Sequence, residues 1–232
     1  MEQHRLTLST HNINGFARHK DFLQSRCSQE PDTIHCLQEH WLLPSTKHRK
    51  GVNELCCVHK DFDGYGTSAM KKAVESRILK GRPFGGTGFL WNRKFSNSIR
   101  PRHEYVHERV GVLQISDSRH NILCINVYFP YLDTSKLTEQ LALYNDAIGF
   151  IDNVMMNNRE CKFVIAGDFN CNLYDQSHPF TPLIRDFMSR HNLTCCFDVI
   201  PNFDSNSTWT RTCQRGGRSH NSLLDYVQDA SY

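Results

Sequence analysis

KFVIAGDFN, residues 162–170, is the stretch that decides the fold: a mostly apolar run ends in Gly167, Asp168, Phe169 and Asn170. An apolar run of that length closed by a glycine turn reads as a buried strand that delivers a carboxylate and a carboxamide to a sheet edge. Those two groups suit hydrolysis at a phosphate. Asp168 is able to bind a cation or take a proton from water, and Asn170 orients water or a phosphate oxygen without adding negative charge. A surface turn whose Asp and Asn supply only turn chemistry is the competing structural reading.

Three further apolar runs end in groups of the same kind. In RLTLSTHNING, residues 5–15, Leu6 and Leu8 alternate ahead of Asn12, Asn14 and Gly15. TIHCLQEHW, residues 33–41, presents Gln38 and Glu39, and NILCINVYFP, residues 121–130, presents Asn126 and Tyr128 just before Pro130. One polar strand end is ordinary, whereas four in a chain of 232 residues point to a shared site.

In order and spacing these residues resemble the signature of the endonuclease/exonuclease/phosphatase superfamily. That signature is an Asn near the first strand, a Gln-Glu pair, a Tyr-x-Pro, a Gly-Asp-x-Asn and a late Asp. The matching positions are Asn12, Glu39, Tyr128, Asp168, Asn170 and Asp225. Within the superfamily, Asn14 stands where apurinic endonucleases usually carry Asp. The strings NING, LQEHWL, GGTGFLWN and YFPY are similar to the target-nicking endonuclease domain of LINE-type, non-long-terminal-repeat retrotransposons. The resemblance implies an α/β fold, a four-layer α/β/β/α sandwich formed by one domain over residues 1–232.

The resemblance also implies a mechanism, hydrolysis of a DNA phosphodiester by in-line attack of water assisted by Mg2+, with Mn2+ as the alternative. Glu39 carries the cation, with Asn14 beside it. Asp168 activates or orients the water, Asn170 and Asn12 hold phosphate oxygens or the nucleophile, Tyr128 donates to the phosphate, and Asp225 falls where the family places a metal-binding or histidine-orienting acid. Trp209 and Arg211 in STWTR fall where the family approaches its substrate, although a buried Trp explains Trp209 equally well. Implied partners are DNA and a reverse transcriptase in the same longer polypeptide, and the implied location is intracellular, in the nucleus. Family members end in Ser-Asp-His on a last strand, and no Ser-Asp-His occurs in this sequence, which runs DYVQDASY from Asp225. The expectation is a C-terminally truncated domain that lacks its last strand and nicks DNA poorly. Two other readings stay open: a degenerate, non-catalytic domain that keeps some nucleic-acid affinity, and a phosphatase of the same superfamily.

Composition is compatible with one packed domain, at 39% hydrophobic residues. No run approaches the ~18 uninterrupted apolar residues of a membrane span, and the start, MEQHRLTLS, lacks a signal-peptide pattern. Ten cysteines occur without a Cys-x-x-Cys pair, so they read as free thiols, mostly buried. Net charge is only +3, yet basic residues cluster at Lys47, Arg49 and Lys50, at Lys71, Lys72, Arg77, Lys80 and Arg82, and at Arg211, Arg215 and Arg218. Such loops either hold phosphates or are simply solvated. His11, His35 and His40 lie beside the motifs and read as structural.

The spacing of Leu137, Leu141, Tyr144, Ile148, Ile151 and Met155 predicts one apolar helix face, with Asp133 or Ser135 as its cap. Further helices are expected over 18–27 and 182–191, and a short strand over 196–200.

Overall fold

The apolar run at 162–168 is strand β8 (Lys162–Asp168) in a computed structural model. The structure describes residues 6–78, 81–118 and 120–199, and the backbone of strands within 211–229. Two sheets stack face to face. The first takes the order β1 (Thr7–Asn12), β2 (Thr33–Gln38), β4 (Thr87–Asn92), β3 (Phe62–Thr67). The second runs β5 (Ile99–Pro101), β6 (Val110–Ser116), β7 (Asn121–Tyr128), β8, β12 (Asp225–Asp229), β9 (Thr194–Cys195). A separate hairpin pairs β10 (Arg211–Arg215) with β11 (Arg218–Ser222).

The two parallel pairs, β1 with β2 and β7 with β8, are the ones joined by long helices. A parallel pair needs a crossover, which α1 (Phe16–Gln29) and α3 (Leu137–Met156) supply. α1 extends two residues beyond each end of the expected 18–27, while α3 spans the expected face. The predicted α3 face is present: Tyr144, Ile148, Ile151 and Met155 are buried, and Leu137 and Leu141 pack against the same core. The Asp133 side chain accepts the Ser135 N–H and caps the 3-10 turn that leads into α3. A short helix, α2 (Lys71–Glu75), precedes β4, and α4 (Thr181–Arg190) falls close to its expected place. The strand expected over 196–200 is corrected: only Thr194–Cys195 is extended, and Cys196–Val199 is a 3-10 turn. Tyr174 binds there by donating its hydroxyl to Asp198, 2.7 Å away.

Three separate cores correspond to the three interfaces of a four-layer sandwich. Leu123, Ile125 and Val127 of β7 and Ile165 of β8 meet α3 and α4. Leu37 and Leu90 meet α1 through Leu23 and Cys27. Ile34, Cys36, Phe89, Leu113, Cys124 and Ala166 fill the space between the sheets. With both faces covered, β2 is buried at every position, as expected for a strand inside such a stack.

Strict alternation then decides where the polar strand ends point. Cys36 and Gln38 share the inter-sheet face of β2, as Cys124, Asn126 and Tyr128 share that of β7 and Ala166 and Asp168 that of β8. Two of the sequence motif residues prove structural for this reason. Gln38 donates to Asn126 Oδ1 at 2.6 Å, and Asn126 donates to the Leu37 and Gly88 carbonyls at 2.9 and 2.8 Å. Both side chains are fully buried. This amide pair rivets the two sheets together and satisfies its own polar atoms.

Nine described cysteines are free thiols, six of them buried, in line with the sequence reading. Among the described residues no helix is long and apolar enough to cross a membrane.

Candidate active site

The mouth between the two sheets collects the remaining strand ends. Chain segments there are stitched by backbone hydrogen bonds: Gly15 N–H to Glu39 O at 2.7 Å, Glu39 N–H to Gly86 O at 3.0 Å, Tyr128 N–H to Arg109 O and Phe129 N–H to Asp168 O, both at 2.9 Å. From the helix side, the buried Tyr144 hydroxyl donates to Phe169 O at 2.6 Å and fixes the turn after β8. Asp168 is drawn inward by its neighbour Gly167, which has φ +138 and passes so close to β7 that a Cβ would sit 2.1 Å from Val127 O.

Six described residues other than glycine have positive φ, and four of them, Asn14, Glu39, Trp41 and Asn170, surround this mouth. Such backbone costs about 1–3 kcal/mol per residue and persists only where neighbours over-determine it, a pattern that concentrates at functional sites.

Six of the sequence-predicted residues meet here, five of them through their side chains. The Asn12 side chain donates to Asp168 Oδ2 at 2.8 Å and to Glu39 Oε1 at 3.2 Å, so one amide holds two carboxylates at a set separation. The Tyr128 hydroxyl donates to Glu39 Oε1 at 2.8 Å. Burial first, and then the Glu39 charge, hold the Tyr128 hydroxyl well above its usual range, so it stays a donor. Asn170 donates its backbone N–H to Asp168 Oδ1 and its side-chain N–H to Phe129 O, both at 2.9 Å. It is only 6% exposed, so its clearest contribution is to hold Asp168. Asn14 is exposed, and it enters the site through its backbone N–H, which donates to Asn12 Oδ1 at 3.2 Å.

For Asp225 the backbone gives the placement: it stands directly opposite Asp168 in the antiparallel β12–β8 register. Its side chain, that of Arg211, and Trp209 altogether lie outside the described residues, as do Lys80 and the side chains of Arg215 and Arg218. Arg49 is spent structurally, donating twice to Pro44 O at 3.1 Å, and Lys72 lies 3.4 Å from Glu108.

Sequence reasoning missed two members. Arg109 donates to Tyr128 O at 3.4 Å and lies 5.8 Å from the Tyr128 ring centroid, which brings a positive charge beside the phenol. Trp41 donates its indole N–H to Glu39 Oε2 at 3.0 Å. Trp41 closes the LQEHW motif, which was its only sequence signal, and Arg109 lies in none of the motifs. Of the three nearby histidines, all read as structural, His40 is buried, with Nε2 3.0 Å from Thr67 O and Nδ1 accepting the Leu42 N–H at 2.9 Å. Its pKa is depressed to about 4 by burial. His11 and His35 sit on the α1 side of the first sheet, joined through Ser9.

The donor set fits a hard divalent cation. An ionised carboxylate offers about four acceptor positions. At Glu39, Tyr128 and Asn12 occupy Oε1 and Trp41 occupies one position on Oε2, which leaves an oxygen lone pair for a ligand. Among the described residues no group of three or more His, Cys, Asp or Glu forms a metal cage. One or two carboxylates completed by waters is the environment Mg2+ and Mn2+ favour, whereas Zn2+ or Cu2+ would call for His or Cys.

Two stacked sheets flanked by helices make the endonuclease/exonuclease/phosphatase fold. Solved structures similar to this chain have that fold. One is the endonuclease domain of TRAS1, a telomere-specific non-LTR retrotransposon, at 10% identity over 97% of this chain and 85% of that one, TM-score 0.68. Another is the AP endonuclease LMAP from Leishmania major, at 16% identity over 97% and 79%, TM-score 0.74. A third is the 3′ phosphatase NExo from Neisseria bound to a product DNA hairpin, at 15% identity over 97% and 87%, TM-score 0.64. No family model and no curated protein sequence matches the chain.

Proposed function

We propose that the chain is a magnesium-dependent phosphodiesterase, a DNA-nicking endonuclease domain of a non-LTR retrotransposon. The observation that carries this reading is the Asn12 amide bridging Glu39 and Asp168, with Tyr128 on the same Glu39 oxygen. Residues distant in sequence are thereby gathered at one mouth, as a shared phosphate and cation would require.

A divalent cation at Glu39 would supply charge neutralisation on the phosphate and the leaving oxygen. The protein groups do the rest. Asp168, held by Asn12 and by the Asn170 backbone, accepts the proton of the attacking water. Asn12 sets the spacing between that carboxylate and Glu39. Tyr128, kept protonated, and Arg109 behind it oppose negative charge as it builds on the phosphate oxygens. DNA is the proposed substrate, with a reverse transcriptase in the same longer polypeptide and action in the nucleus following from the TRAS1-like reading. The Neisserial neighbour makes removal of a terminal 3′ phosphate the second reading, which end-labelled substrates distinguish from internal cleavage.

The test is a thermal melt in EDTA and in millimolar Mg2+. Binding at ten times Kd stabilises by about 1.4 kcal/mol, or roughly 3–5 °C for a domain of this size. The parent should shift by that amount and Glu39→Gln should not. Equal shifts in both proteins would remove Glu39 as the ligand.

A further inference from the structure

We infer that Trp41 is the positioning residue of Glu39, fixing through its indole N–H which carboxylate oxygen meets the cation; this rests on the proposed cation site. Glu39 Oε1 already accepts two donors, the Tyr128 hydroxyl at 2.8 Å and the Asn12 amide at 3.2 Å. Oε2 accepts one, the Trp41 indole at 3.0 Å. The unclaimed lone pair therefore lies on Oε2, and the indole determines its direction. Without that donor the carboxylate is held at one oxygen only and turns about its last bond.

The surroundings of Trp41 are built to hold the ring still. Its backbone has φ +58 and its N–H donates to Gly85 O at 3.0 Å. On one side the ring lies against Gly15, where a Cβ would come within 2.6 Å of the indole, so any larger residue at 15 would displace it. The Arg82 guanidinium lies over the ring, 4.2 Å from its centroid. A flat ring between a bare backbone and a stacked cation has little freedom, and Gly15 comes from the HNING motif that also carries Asn12. The arrangement matches the general role of groups that orient metal ligands, whose removal costs 10–100-fold in affinity.

The experiment is isothermal titration of the purified chain with MnCl2, comparing the parent, Trp41→Phe, Glu39→Gln and a chain carrying β-(3-benzothienyl)alanine at position 41. The last keeps the shape of the indole and replaces its N–H by sulfur, so it separates the hydrogen bond from packing. Both Trp41 variants should bind Mn2+ about 10–100-fold more weakly, while the benzothienyl chain melts in EDTA at the parent temperature. If the parent binds Mn2+, Glu39→Gln abolishes binding, and the benzothienyl chain binds as tightly as the parent, the positioning role is overturned and the cation site survives. If the parent binds no Mn2+ or Glu39→Gln leaves binding unchanged, the cation site itself is lost, and this inference with it.

Discussion

Asp168→Asn should reduce metal-dependent cleavage of supercoiled plasmid by about 10²–10⁴-fold, the range a positioned general base contributes. Asparagine is the informative replacement. In the parent, Asp168 Oδ2 accepts the Asn12 amide and Oδ1 accepts the Asn170 backbone N–H. Alanine would take the acceptor from the buried Asn170 N–H, at about 1–3 kcal/mol, and would leave the Asn12 amide with Glu39 alone, so lost chemistry would be confused with lost structure. Asparagine keeps one carbonyl acceptor and nearly the same volume but cannot take a proton. The measurement is conversion of supercoiled to open-circular plasmid over a time course with Mg2+. Conversion by Asp168→Asn at the parent rate would make Asp168 a turn residue only.

Stability should fall as pH drops from about 6.5 toward 4. Burial depresses His35 and His40 to about 4, against about 6.5 in the unfolded chain. His11, joined to His35 through Ser9, is lowered to the same value by burial and then by the Arg26 charge. A depressed folded pKa means that the unfolded chain binds protons first. The stability is therefore intact above pH 6.5 and is lost through the window down to 4. Each fully depressed histidine is worth about 3 kcal/mol over that window, and partly exposed His11 contributes less. His35 and His40 together approach the 5–15 kcal/mol of a typical domain. Urea midpoints should hold steady from pH 8 to 6.5 and then fall steeply, with a shallower fall in His40→Gln. A midpoint constant down to pH 4.5 would show that these rings are accessible to protons in the folded state.

The parts of the fold that were legible in the sequence are those set by local pattern. The run before Gly167 announced β8, three- and four-residue spacing announced α3, and four motifs placed Asn12, Glu39, Tyr128 and Asp168 at strand ends. What pattern could not give is which face of a doubly covered strand meets which layer. Gln38 and Asn126 therefore looked like site residues, whereas alternation turns them into the gap between the sheets, where they bind each other. Trp41 and Arg109 were missed because their contacts depend on left-handed backbone at 39 and 41 and on strands meeting across the mouth. The pairing of Asp225 with Asp168 is a matter of antiparallel register, which no local signal specifies.

The central claim is that Glu39, held by Asn12, Tyr128 and Trp41, receives the divalent cation beside Asp168. The direct measurement is an anomalous difference map from crystals of the chain soaked in Mn2+. The account predicts a peak against the Glu39 carboxylate on its Oε2 side, absent from crystals of Glu39→Gln. Anomalous density elsewhere, with Glu39 still bound only to its three side-chain donors, would contradict it.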